Sequence, residues 1–182
     1  MRLVTFGCSY TNGAYLDSQK LWPAVLANHL KIPCVNQGVG GAGNLEILWY
    51  ILNFKFEPTD IVVIMWSNFS RDHIFSKSGF NRIRKTNDPL TRYWMLTHTD
   101  YDFNIRNWIY IQHADLYVKQ FSKVYHLLGG DYLLDKSVKP SCTNVDNLID
   151  IEFKNYDLAE DNSHPGQESH KILAEKIYNI IR

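Results

Sequence analysis

Short unbroken apolar runs alternate along this chain with stretches in which apolar residues recur every three or four positions. Residues 2–6 (RLVTF) predict a short buried strand that ends in the turn GCS. Leu21 to Leu30 (LWPAVLANHL) predicts a helix, with Pro23 in the first turn where a missing N–H costs nothing. Residues 32–36 (IPCVN) predict a second strand that runs into the glycine-rich turn QGVGGAGN. Asn44 to Asn53 (NLEILWYILN) predicts a helix with Asn44 placed to cap it. Asp60 to Trp66 (DIVVIMW) is the clearest strand, apolar throughout as in a central parallel strand covered on both faces.

Further on, residues 107–128 contain a long amphipathic helix by the same criterion, ended by Gly129 and Gly130. Residues 131–135 (DYLLD) predict a fourth strand, and Asn147 to Phe153 (NLIDIEF) is a short extra strand or irregular chain. A C-terminal helix begins near Pro165, with Ile172, Leu173, Ile177, Ile180 and Ile181 on one face. The alternation predicts an α/β fold, a three-layer α/β/α sandwich with a mainly parallel sheet and right-handed crossovers. The 182 residues suit a single domain, 1–182. The segment 72–107 stands apart as an insertion without a clean period. It is rich in aromatic residues and arginines and should emerge near the carboxyl edge of the sheet.

Charge narrows the partners. Nineteen basic residues balance nineteen acidic ones, which gives no basic surface for nucleic acid or an anionic membrane. The apolar run at the N-terminus is too short for a signal-peptide core, and no stretch approaches a membrane span. A cytoplasmic location is expected, although a virion or a non-standard export route would leave the same sequence. Cys8, Cys34 and Cys142 are odd in number and lack metal-ligand spacing, so free thiols and no metal are expected. His113, His126 and His170 fall on predicted helices, again without metal spacing.

Ligands of open α/β sheets gather beyond the carboxyl ends of the strands. Gly7-Cys8-Ser9 follows the first strand, Gly38 to Gly43 the second and Ser67-Asn68 the third; Asp161-Asn162-Ser163-His164-Pro165 precedes the last helix. Together they supply a hydroxyl, backbone amides, a carboxamide, an imidazole and a carboxylate, the inventory of acyl transfer by an activated serine. His164 is the candidate base for Ser9, and Asp161, three residues earlier, can fix its tautomer. The Ser9 N–H, a glycine N–H and the Asn68 side chain are candidate oxyanion donors.

The blocks FGCSYTNG, NQGVGGAGN, WSNFS and DNSHP resemble, in order, the four blocks of the SGNH (GDSL-like) hydrolase family. The resemblance covers residues 2–68 and 161–182, including the W-P helix after the first block. It implies a flavodoxin-like sandwich, a triad of Ser9, His164 and Asp161, an oxyanion hole of Ser9, Gly41 and Asn68, and no cofactor. It also implies cleavage of a small acyl ester, with a carbohydrate O-acetyl group as a candidate substrate, and leaves oligomeric state open. Two departures stand out: Cys8 replaces the usual aspartate before the serine, and Ser67 and Phe69 replace Gly and Asp around Asn68. They keep open a degenerate glycan- or partner-binding protein, while O-acyl transfer would use the same triad. Cys8 itself is a packed thiol or, in a sharper view, a nucleophile or redox switch. Gly38 to Gly43 also fits G-x-G-x-x-G, but it follows a second strand, and Asp60 begins the next strand where a dinucleotide site needs an acid at its end.

Overall fold

The computed structural model describes every residue except 77–78, 84–88, 129–136, 138, 140–144 and 152. In chain order the elements are β1 (Leu3–Gly7), α1 (Ser9–Asn12), a 3-10 turn (Ser18–Lys20), α2 (Trp22–Leu30), β2 (Cys34–Gly38), α3 (Asn44–Leu52) and β3 (Ile61–Trp66). A hairpin of β4 (Asp72–Ser76) and β5 (Gly79–Ile83) follows, then α4 (Pro89–Thr97), α5 (Asp100–Val118), β6 (Lys123–Leu128), β7 (Leu148–Asp150) and α6 (Gln167–Ile181).

Among the described residues the main sheet runs β2-β1-β3-β6-β7, with every neighbouring pair parallel. Counted within the sheet this is the order 2-1-3-4-5, whose direction of winding reverses between β1 and β3. The fold is therefore the expected α/β sandwich. Side chains alternate across the sheet by the two-residue period of a strand. Val4, Phe6, Val62, Ile64, Trp66, Val124 and Leu128 join α3 and α5 in one apolar layer. Leu3, Val63, Met65, Tyr125 and Leu127 join α2 and α6 in the other. Trp108 on α5 and Trp22 on α2 are fully buried in these two layers; truncating either to Ala costs about 3–5 kcal/mol.

Some expectations change and others become definite. The long helix assigned to 107–128 is instead α5, which starts at Asp100 and stops at Val118, followed by the buried strand β6. A short apolar run such as Val124–Leu128 carries no periodicity that separates strand from helix. The strand and glycine stop assigned to 129–135 lie outside the described residues. NLIDIEF supplies β7, the edge strand beside β6, and 72–107 holds the β4–β5 hairpin, α4 and the start of α5. On α6, Leu173, Ala174, Ile177 and Ile181 face the core, whereas Ile180 is exposed.

Of the three histidines assigned to helices, His126 lies on β6 and is fully buried. The Trp66 indole N–H donates to its Nδ1 at 3.1 Å, and its Nε2 lies 3.2 Å from Asp115 Oδ1 on α5. Burial pushes its pKa below the ordinary imidazole value despite that carboxylate. It is a structural residue that joins β3, β6 and α5. No helix among the described residues is long and apolar enough to cross a membrane.

Candidate active site

The carboxyl ends of β2, β1 and β3 lie side by side, so the segments after them share one edge of the sheet. Gly7 pairs with Gly38, and the Val39 N–H donates to the Gly7 carbonyl at 2.9 Å. Helix α1 starts immediately, with Cys8 as N-cap and Ser9 as its first residue. Asn12 Nδ2 donates to the Gly38 carbonyl at 3.0 Å, and Asn36 Nδ2 donates to the Thr11 carbonyl at 2.7 Å. These bonds hold α1 over the end of β2. A Cβ at Gly38 would stand 2.4 Å from the Asn12 nitrogen, so only glycine allows this approach.

Ser9 is 8% exposed, and among the described residues its Oγ makes no hydrogen bond. Cys8 points the other way. It is buried with Ala42, Ile47 and Ile51 in the layer under α3, as a packed thiol. It caps α1 without a side-chain hydrogen bond. Gly41 has φ +75°, a left-handed conformation that favours glycine and turns the 39–43 segment back toward α3. Asn44 does not cap α3. Gly43 occupies that position, and the Asn44 side chain turns to the segment after β3. There its Oδ1 accepts from the Ser67 N–H at 2.7 Å, and its Nδ2 donates to the Ser67 carbonyl at 3.0 Å. Next in the chain, Asn68 Oδ1 accepts from both the N–H and the Oγ–H of Ser70, each at 2.9 Å. The carboxamide oxygen is thus occupied, and the Nδ2 donor is left facing away from it.

The loop before α6 is tied at its neck. Leu158 and Pro165 form an antiparallel bridge, the Ala159 N–H donates to the His164 carbonyl at 2.8 Å, and the Gly166 N–H donates to the Asp157 carbonyl at 2.9 Å. Asp157 also stands in as the cap of α6. Its carboxylate accepts from the Glu168 N–H (2.9 Å), the Ser169 N–H (2.8 Å) and Ser169 Oγ (2.7 Å). Burial alone would push its pKa up, but those hydrogen bonds outweigh it and hold the group ionised.

Within the loop Asp161 and His164 meet: His164 Nδ1 donates to Asp161 Oδ2 at 2.5 Å. Asp161 further accepts from Ser163 Oγ at 2.6 Å and from the backbone N–H groups of Ser163 (3.1 Å) and His164 (3.0 Å). The Ser163 hydroxyl first, and then the His164 ring and the two amides, hold the Asp161 carboxyl well below the usual carboxylate range. A carboxylate on Nδ1 fixes the tautomer with its lone pair on Nε2. His164 stays partly open to solvent and lies between two tyrosines. The Tyr10 ring, next in the chain to Ser9, is edge-on with centroids 6.0 Å apart, and the Tyr15 ring is tilted at the same centroid distance.

The structure thus joins Asp161 to His164 directly, sets His164 against the residue after Ser9, and lines up Ser9, Gly41 and Asn68 after three adjacent strands. Asp157 and Tyr15, also at this edge, carry no motif in the sequence, and Ser163 stands inside the DNSHP block without a role of its own. Among the described residues no group of three or more His, Cys, Asp or Glu side chains is arranged to hold a metal ion.

No protein-family model matches the sequence, and no curated protein matches it significantly. Solved structures do. A member of the lipolytic protein G-D-S-L family from Veillonella parvula aligns with TM-score 0.64 at 14% identity, over 100% of this chain and 98% of that one. An acetyl xylan esterase from the rumen bacterium Butyrivibrio proteoclasticus aligns with TM-score 0.62 at 11% identity, over 100% of this chain and 63% of that one. A carbohydrate esterase whose active site is described as having divergent catalytic and non-catalytic binding functions aligns with TM-score 0.61 at 13% identity, over 99% of this chain and 67% of that one. The chain shares the fold of these lipolytic and carbohydrate-esterase structures.

Proposed function

We propose that the protein is a serine esterase that removes a small acyl group through an acyl-enzyme. The observation that carries this reading is the Asp161–His164 pair, with Nδ1 bound to carboxylate and Nε2 unbonded among the described residues, beside the helix that begins with Ser9. Ser9 Oγ attacks the ester carbonyl while His164 Nε2 takes its proton. Asp161 stabilises the imidazolium that forms. Negative charge on the tetrahedral oxygen is met by the N–H groups of Ser9 and Gly41 and by Asn68 Nδ2. The intermediate collapses as His164 returns the proton to the leaving alkoxide, which departs as the alcohol. A water then repeats the sequence on the acyl-enzyme, releasing the acid and free Ser9.

The carbohydrate esterases among the structural neighbours support an O-acetylated sugar as the substrate class. Acetate release from acetylated xylo-oligosaccharide by the purified protein tests this, with Ser9→Ala as the control. Turnover that persists in Ser9→Ala would exclude the mechanism. Acyl transfer to an alcohol uses the same steps with the acceptor in place of water, and products formed with competing acceptors separate the two.

A second reading, binding without turnover, is favoured by Cys8 and Phe69, which stand where the family resemblance calls for aspartates. It predicts saturable oligosaccharide binding in a calorimeter with no acetate released.

A further inference from the structure

Asn68 is held from behind by a pair of buried carboxamides, one of which comes from α5, outside every block of the family resemblance. Asn107 Nδ2 donates to the Phe69 carbonyl at 3.0 Å and to the Phe103 carbonyl of its own helix at 2.6 Å. Asn107 Oδ1 accepts from Asn44 Nδ2. Asn44 in turn grips the Ser67 N–H and carbonyl. Asn44 is 2% exposed and Asn107 3%. The carbonyl groups of the residues on both sides of Asn68 are therefore held by side chains, and its Oδ1 is held by Ser70. A buried carboxamide left without partners is costly, so each bond of the pair enforces the others.

From this we infer that Asn107, acting with Asn44, is a positioning residue for the oxyanion donor Asn68. This rests on the serine esterase reading. The carboxamide pair braces the turn where the family resemblance calls for a carboxylate and this chain has Phe69. Asn107 touches no reacting atom; it sets the place of a donor that must meet charge developing on the substrate. Displacing such a donor by a fraction of an ångström weakens transition-state binding and leaves ground-state binding untouched.

A double-mutant cycle in ester turnover tests the assignment. Asn107→Ala lowers kcat by about tenfold or more with KM unchanged. In an Asn68→Ala background the same substitution changes kcat by less than about twofold, because the donor it positions is already gone. Should Asn107→Ala not fold, Asn107→Asp keeps the shape and the acceptor, loses the donor to Phe69, and enters the same cycle. Turnover that Asn107 variants retain, or lose equally in both backgrounds, overturns the positioning role alone. Wild-type protein without turnover overturns the esterase reading and this assignment with it.

Discussion

The backbone N–H of Trp22 donates to Nδ1 of His170 at 3.2 Å, a contact between residues 148 apart in the chain. Trp22 opens α2, whose N-cap, Leu21, has no side chain to accept that bond. A histidine on α6 therefore supplies the cap, and it can do so only while Nδ1 is unprotonated.

Burial lowers the His170 pKa to about 4, against an ordinary value of 6.5, despite the opposing pull of Asp157. Well above pH 6.5 the ring is neutral whether the chain is folded or not. As the pH falls toward 4 the unfolded chain takes up a proton that the folded chain resists, so stability drops across that window. The loss is about 3 kcal/mol over the whole interval. His170→Asn keeps an acceptor and removes the titration. Urea melts between pH 8 and pH 4 should show that segment of the pH dependence in the wild type and its loss in the variant.

The Asp161 carboxylate fixes the His164 tautomer. Asp161→Asn presents an amide that competes for the wrong tautomer, and kcat should fall by about three to four orders of magnitude. Ser163→Ala removes the hydroxyl that lowers that carboxylate most, so its titration, followed by carboxyl carbon resonance, moves up toward the usual range. Turnover at neutral pH changes little in Ser163→Ala, because the group remains ionised there.

In the proposed mechanism Asn68 Nδ2 donates to charge that exists only in the transition state. Asn68→Ala should lower kcat by about 100- to 1,000-fold, or about 3–4 kcal/mol, with KM held within a few-fold. A matching rise in KM would assign the side chain to substrate binding instead.

Tyr15 is held at φ +66° and is 62% exposed, with its ring beside His164. A bulky residue in the left-handed region is strained by about 1–2 kcal/mol. Tyr15→Gly should therefore be more stable than Tyr15→Ala by about 1 kcal/mol in denaturant melts. In the proposed mechanism His164 returns the proton to the leaving alcohol, which would put the neighbouring Tyr15 ring on that side of the substrate. Both variants should raise KM for esters of cyclic alcohols more than for esters of methanol.

What the sequence disclosed follows from which interactions are local. Leu3–Gly7 and Ile61–Trp66 are central strands covered on both faces, and their largely apolar runs are visible in a short window. The Asp161–His164 contact spans three residues, so one turn delivers it. Lys123–Leu128 escaped because Val118, Phe121 and Tyr125 continue a helical spacing past the end of α5. Asn44 was visible but assigned to the wrong task. Its partners Ser67 and Asn107 lie 23 and 63 residues away, and a lone carboxamide carries no periodic signal. The cap that His170 gives Trp22 was hidden for the same reason.

Labelling with a fluorophosphonate, followed by peptide mapping, tests the central claim most directly. The account predicts a single adduct on the peptide that contains Ser9, and its loss in His164→Ala. A folded wild-type protein that takes no adduct, or takes it on another residue, would contradict it.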